Sequence, residues 1–161
     1  RRRRSGSTSP IGDPVMTTLA ELDLTQATWL PICALSDLTM ERGAPAIIPD
    51  GEADGSPVRV QIAIFRLPGD EVVTVSHYDP VTGSYVMARG LVGTRLIDEV
   101  EVPTLASPLH KQVYALRTGE CLDLAGKTAL VGEAALRTWP TRVRDGVVEV
   151  ALQPFAHGIA P

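Results

Sequence analysis

The clearest periodicity lies between residues 58 and 65. In "VRVQIAIF", Val58, Val60, Ile62 and Ile64 alternate with Arg59, Gln61 and Ala63, the two-residue repeat of a strand. "LPGD" (67–70) follows as a turn and "EVVTV" (71–75) as a partner strand, so this region reads as a hairpin. "TRVRDGVVEVAL" (141–152) spells a second hairpin, alternating on both sides of Asp145-Gly146, a pair suited to the positive φ of a tight turn. "TWLPICAL" (28–35) predicts a first strand, "SDL" a turn, and "PAIIP" (45–49) a short strand bracketed by prolines. "DGEADGSP" (50–57) reads as a loop, "QVYAL" (112–116) as a strand and "RTGE" as the turn after it. "KTALVGEAALRTW" (127–139) leaves room for one helical turn or two. Residues 76–101 contain glycine but little pattern, and no internal repeat is visible. Many short strands, frequent Gly/Pro turns and almost no helical period predict an all-β sandwich or barrel-like fold. The 76–111 stretch is too long for an idle connection, and such segments are usually functional or disordered.

A length of 161 residues suggests one domain, large enough to bury a core without staples. The first fifteen residues, "RRRRSGSTSPIGDPV", hold four arginines and one aspartate and have no periodicity. They read as a disordered basic arm, with residues 16–161 as the domain and its core at about 28–152. The arm is read as a solvated tail or as sequence upstream of a true start at Met16; an anionic-patch binder or an address is the functional alternative. No apolar region follows the arginines as a twin-arginine signal requires. The net charge is −4, and beyond the arm 11 basic residues stand against 18 acidic ones, a balance that argues against nucleic acid as a partner. Aromatic residues make up 4%, too few for base-stacking platforms. No apolar run approaches the length of a membrane span, and "WLPICAL" lacks the flanks of a signal peptide. The expected location is the cytoplasm. Cys33 and Cys121 are far apart and in no metal-type spacing. They read as free thiols, with a single disulfide left open.

Several stretches carry a more specific message. They are Trp29, "ICALSDL" (32–38), "IAIFRL" (62–67), "VSHYDPVTGSYVMARGLVG" (75–93), "SPLHKQVYALRTGECLD" (107–123) and "WPTRVRDGVVEV" (139–150). Together they resemble the Rieske-like small subunit of assimilatory NAD(P)H nitrite reductase, over roughly residues 28–152. The resemblance implies an all-β Rieske-like fold of small antiparallel sheets, with little helix and two loops meeting at a tip.

A Rieske centre holds its cluster with Cys-x-His on one loop and Cys-x-x-His on the other, two thiolates on one iron and two imidazoles on the other. The resemblance lays the first box on Asp79-Pro80-Val81 and the second on Ser107-Pro108-Leu109-His110. Asp79 and Ser107 then stand for the thiolates, Val81 for an imidazole, and only His110 remains. Valine offers no donor, so no [2Fe–2S] cluster is expected. Both Asp79 and Ser107 precede proline and suit turns in which their side chains accept backbone N–H bonds. The expected replacement for the cluster is a hydrogen-bonded tip of Asp79, Ser107 and His110, with Val81 and Leu109 filling the space. A mononuclear metal on His77, Asp79 and His110 is the bolder alternative.

Other signals are weaker. His157 reads as a solvated residue of the C-terminal tail. "DGEADG" (50–55) has Gln61 where a calcium loop needs its last glutamate. Ser107 and His110 have neither a nucleophile elbow nor an orienting acid. "RGLVG" (89–93) lacks the strand–turn–helix context of a dinucleotide fingerprint.

No complete active site is visible in this chain. The resemblance implies a small subunit without catalytic residues, docking on a large subunit that carries FAD, a [4Fe–4S] cluster and sirohaem and reduces nitrite to ammonium with NAD(P)H. His77, Tyr78, Tyr85, Arg89, His110 and Lys111 are the candidate contacts. A Rieske-type electron carrier and a free-standing binding module of the same fold are the competing readings.

Overall fold

The structure, a computed structural model, describes residues 24–25 and 27–152. The basic arm, residues 1–15, and His157 lie outside the described residues. Thirteen strands run in order: β1 (Trp29–Ala34), β2 (Gly43–Ala53), β3 (Ser56–Arg66), β4 (Val72–Ser76), β5 (Tyr78–Asp79), β6 (Ser84–Tyr85), β7 (Leu91–Ile97), β8 (Val100–Ala106), β9 (Val113–Ala115), β10 (Cys121–Asp123), β11 (Thr138–Trp139), β12 (Thr141–Arg144) and β13 (Val147–Ala151). All pair antiparallel, in sheets ordered β11-β4-β3-β2, β10-β9-β8-β7, β1-β13-β12 and β5-β6. Three short 3-10 turns, around Leu35–Asp37, Pro68–Asp70 and Met87–Arg89, are the only helical structure among the described residues. The expected all-β architecture of small antiparallel sheets is what the chain forms.

The β11-β4-β3-β2 sheet is covered on both faces, and β3 records this in its sequence. Val58 and Val60 are half-buried while Arg59 is exposed, as alternation predicts. From Ile62 to Phe65 every residue is buried. Ile62 and Ile64 join Ile48, Val72, Trp139, Val148 and Val150 in one core. Ala63 and Phe65 join Val73, Val75, Leu105, Tyr114 and Leu116 in the other. A strand that enters between two layers loses its polar face, so the alternation becomes a continuous apolar run. Each large side chain buried there contributes roughly 1.5–3 kcal/mol.

Three expectations need correction. Residues 50–57 are not a loop: β2 and β3 continue through them as one long hairpin, turning at Asp54-Gly55 with φ of +52° and +75°. That is the same two-residue signal read at Asp145-Gly146, whose φ values are +51° and +76°. The signal is masked because this end of the hairpin projects beyond the cores and is polar on both faces. Residues 76–101 are not featureless: they hold β5 and β6, then a β7–β8 hairpin turning at Asp98-Glu99, both at positive φ. Strand β7 is mostly exposed on both sides, so it leaves no period-two trace. Residues 127–139 form no helix. Their backbone groups bond elsewhere, Leu130 N–H to Pro80 C=O at 2.9 Å and Leu136 N–H to Gly119 C=O at 2.8 Å, while Leu130 and Val131 are exposed.

Candidate functional site

Three loops converge at one end of the sheets. The first follows β5. Asp79 Oδ1 accepts the Val81 N–H at 2.9 Å and, more weakly, that of Thr82 at 3.4 Å. Gly83 closes the turn by donating to the Asp79 carbonyl at 2.8 Å with φ +71°. This is the turn that an aspartate before proline favours. The second loop joins β8 to β9. Ser107 N–H donates to the Gln112 carbonyl at 2.9 Å, and Lys111 N–H to that of Ser107 at 3.2 Å, with Lys111 in the left-handed region at φ +64°. The third is the 127–133 segment, tied to the first through Leu130 and Pro80.

The first two loops meet at the Asp79 carboxylate, which is completely buried. Ser107 Oγ donates to Oδ2 at 2.6 Å. Gln112 Nε2 donates to Oδ1 at 2.7 Å and to Oδ2 at 2.8 Å. With the two backbone donors, every hydrogen-bonding neighbour of this acid is a donor, matching the acceptor-only valence of an ionised carboxylate. Ser107 and Gln112 are themselves completely buried. The network is incomplete on its far side, since Gln112 Oε1 and the Tyr114 hydroxyl are buried without hydrogen-bond partners among the described residues. Burial, then the charge of Asp79, pushes the Tyr114 phenol far above its usual range, so it stays neutral. The nearby Gln112 amide offsets part of this.

The expected trio is therefore corrected in one member. Asp79 and Ser107 do meet, but His110 is exposed and makes no hydrogen bond among the described residues; Gln112 takes its place. The left-handed backbone at Lys111 sends the chain outward at His110 and back inward at Gln112. Val81 fills the interior at 8% exposure, whereas Leu109 is 50% exposed and fills nothing. Gln112 carries a faint sequence signal, a lone amide heading the apolar run "QVYAL".

His77 organises the neighbouring turn. Its Nδ1 accepts the Ala88 N–H at 3.0 Å, and its carbonyl accepts those of Val86 at 2.9 Å and Met87 at 3.1 Å. Burial, then the charge of Arg89, lowers its pKa, which keeps the imidazole neutral and the acceptor nitrogen free of a proton. The alternative metal site is not assembled: among the described residues no three His, Cys, Asp or Glu side chains come together as metal ligands. Tyr78 is half-buried, its ring 5.5 Å from that of Tyr85, edge to face. Tyr85, Arg89, His110 and Lys111 are exposed around the tip. Cys33 and Cys121 are both free. Burial raises the pKa of each thiol, with Asp37 adding to the effect at Cys33.

Comparison with known proteins places this architecture. Residues 28–151 match the Rieske-like [2Fe-2S] domain family. The Escherichia coli K12 protein named nitrite reductase (NADH) small subunit is 32% identical over 123 residues, covering 76% of this chain and 95% of the relative. The chain belongs to the Rieske-like family, among the nitrite reductase small subunits. A Mycobacterium tuberculosis structure described as an NADH-dependent nitrite reductase small subunit superimposes with a TM-score of 0.60 at 32% identity, covering 78% of this chain and 95% of that one. The ferredoxin of carbazole 1,9a-dioxygenase from Nocardioides aromaticivorans, 20% identical with a TM-score of 0.53 over 78% and 98% of the two chains, shares the fold. The Klebsiella oxytoca protein named nitrite reductase [NAD(P)H] large subunit is 34% identical over 145 residues, which is 88% of this chain but only 13% of that relative's length.

The family name implies a [2Fe–2S] cluster, and the tip does not fit one. Val81 has no donor, and His110 faces solvent. The two groups at the thiolate positions are hydrogen bonded to each other at 2.6 Å, with the Gln112 amide against both carboxylate oxygens. Iron would have to displace these hydrogen bonds and would find one imidazole where four ligands are needed.

Proposed function

We propose that this chain is the non-catalytic small subunit of a cytoplasmic NAD(P)H nitrite reductase, docking by its tip on the large subunit that reduces nitrite to ammonium. The observation that carries this reading is the Asp79–Ser107–Gln112 network. Hydrogen bonds join the two loops at the positions that the resemblance aligns with the ligand boxes of a Rieske centre, which supports a tip that keeps its shape without a redox group. A shaped tip without electrons to pass serves as a docking surface. The flavin, [4Fe–4S] cluster and sirohaem that the resemblance implies would belong to the partner. The Klebsiella relative supports a shared assembly, because there the matching stretch lies within one polypeptide named as the large subunit. The side chains offered for contact are Tyr78, Tyr85, Arg89, His110 and Lys111, backed by His77.

The test is co-expression with the cognate large subunit. The expected result is a co-purifying complex whose NAD(P)H-dependent nitrite reduction exceeds that of the large subunit alone, while the isolated small chain holds no iron or acid-labile sulfide. Full activity of the large subunit alone, with no association, would refute the subunit reading. Two irons and labile sulfide in the small chain would make it an electron carrier instead.

A further inference from the structure

Among the described residues, arginines are mostly neutralised. Six of the nine among the described residues have a carboxylate oxygen within 4.0 Å. Arg42, Arg59 and Arg89 have no ion pair and no side-chain hydrogen bond among the described residues. Two of these three share one cleft of about 510 Å³, walled on one side by Met40–Gly43 and on the other by Ala88–Val92.

Both walls are fixed. Glu41 N–H donates to the Arg66 carbonyl at 2.8 Å and Arg42 N–H to that of Thr39 at 3.1 Å. Across the cleft, Arg89 N–H donates to Val86 C=O and Gly90 N–H to Met87 C=O, each at 2.9 Å. The walls touch at Gly43, where a Cβ would overlap the Ala88 carbonyl oxygen. Glycine there lets the two backbones close, which fixes both arginine Cα positions; among the described residues neither guanidinium has a hydrogen bond or ion pair. Among the described residues, Glu41 is the only carboxylate lining the cleft and bonds neither arginine. Two exposed arginines on fixed backbone across one cleft can each offer forked donors to a carboxylate, which accepts two parallel N–H bonds from a guanidinium. On a chain of net charge −4, the spot also steers an acidic partner toward this face.

The cleft adjoins the tip. Arg89 ends the turn that His77 organises through Ala88, and the Tyr85 ring, 50% exposed, lies 6.3 Å from the His77 ring.

We propose that the Arg42–Arg89 cleft receives an aspartate or glutamate side chain of the nitrite reductase large subunit and anchors the docked tip. This rests on the docking reading above and goes beyond it by naming the anchor and its chemistry.

The experiment measures affinity of the full-length chain for the purified large subunit at 50 and 300 mM salt. The variants are Arg42→Ala, Arg89→Ala, the double Arg42→Glu/Arg89→Glu, and Arg59→Glu as a control on an unpaired arginine outside the cleft. Thermal melts confirm that each variant is folded. Each alanine variant is expected to weaken binding about tenfold or more, the double reversal to abolish it, and Arg59→Glu to stay within about twofold. The wild-type affinity should fall with salt, and the double reversal should lose that dependence. A complex that the double reversal leaves at wild-type affinity overturns the cleft and spares the docking reading. No complex with the wild-type chain overturns both. Inorganic phosphate is titrated in parallel. Saturable binding that the double reversal removes, with large-subunit affinity unchanged, makes the cleft a small-oxoanion site and also overturns the proposal.

Discussion

Replacing Asp79 with alanine removes the acceptor on which the whole tip converges. Three donors lie within 2.9 Å of its carboxylate: Ser107 Oγ, Gln112 Nε2 and the Val81 N–H. A hydrogen bond to a charged acceptor is worth roughly 1.5–3 kcal/mol, and a buried donor left unsatisfied costs about 1–3 kcal/mol. The Ser107 hydroxyl can rotate to another acceptor, which reduces its share. The Gln112 amide is completely buried and would lose both of its carboxylate acceptors. Asp79→Ala is therefore expected to cost about 3–5 kcal/mol, against a total stability of roughly 5–15 kcal/mol for an ordinary domain. Ser107→Ala, which deletes a single donor, is expected to cost about 1–2 kcal/mol. Equilibrium urea unfolding followed by tryptophan fluorescence measures both, because Trp139 is buried in the other core and reports global unfolding. A control separates desolvation from lost volume. If unsatisfied donors are the cause, Asp79→Ala/Gln112→Leu should be less destabilised than Asp79→Ala alone, since the orphaned amide has gone. An Asp79→Ala variant within about 1 kcal/mol of wild type, or a double variant at least as unstable as the single, would refute the reasoning.

Three further outcomes are expected. The folded-state pKa of His77 is lowered, so its contribution to stability is complete above the ordinary imidazole value of about 6.5. It is lost as pH falls from there through the lowered folded value, where the unfolded chain takes up a proton that the folded one refuses. Urea midpoints should therefore drop between pH 7.5 and 5.5, and His77→Gln should flatten that slope. Gly119 has φ +76°, and a Cβ there would overlap the Leu136 carbonyl oxygen. Gly119→Ala should destabilise by more than about 2 kcal/mol, read as a lowered Tm. Arg137 forms two 2.7 Å bonds with Asp50, both side chains being largely buried, and lies 4.7 Å from the Trp139 ring centre. Arg137→Ala should cost roughly 2–4 kcal/mol. Arg117→Ala, which breaks the exposed pair with Glu71, should cost less than about 1 kcal/mol in the same unfolding assay.

The sequence by itself determined the fold class and the chemistry the tip lacks. Period-two patterns at 58–65 and 141–152 and the Asp145-Gly146 turn are local, because side-chain alternation and positive φ are properties of a few consecutive residues. The missing ligands are equally local: Val81 has no donor atom in any fold. The element at Tyr78–Asp79 and Ser84–Tyr85 was not legible because two-residue strands are too short to show alternation, and the 91–106 hairpin was not because its first strand is exposed on both faces. The tertiary structure alone decided which polar residues face inward at the tip. His110 and Gln112 are two residues apart, and either type could bond a carboxylate. One left-handed backbone position at Lys111, held by the closure of Ser107 on Gln112, turns the histidine to water and the amide to Asp79. The Arg42–Arg89 cleft is likewise a product of packing. Its two arginines are 47 positions apart in the sequence, and what joins them is the close approach of Gly43 to Ala88, a contact between distant segments that no local pattern specifies.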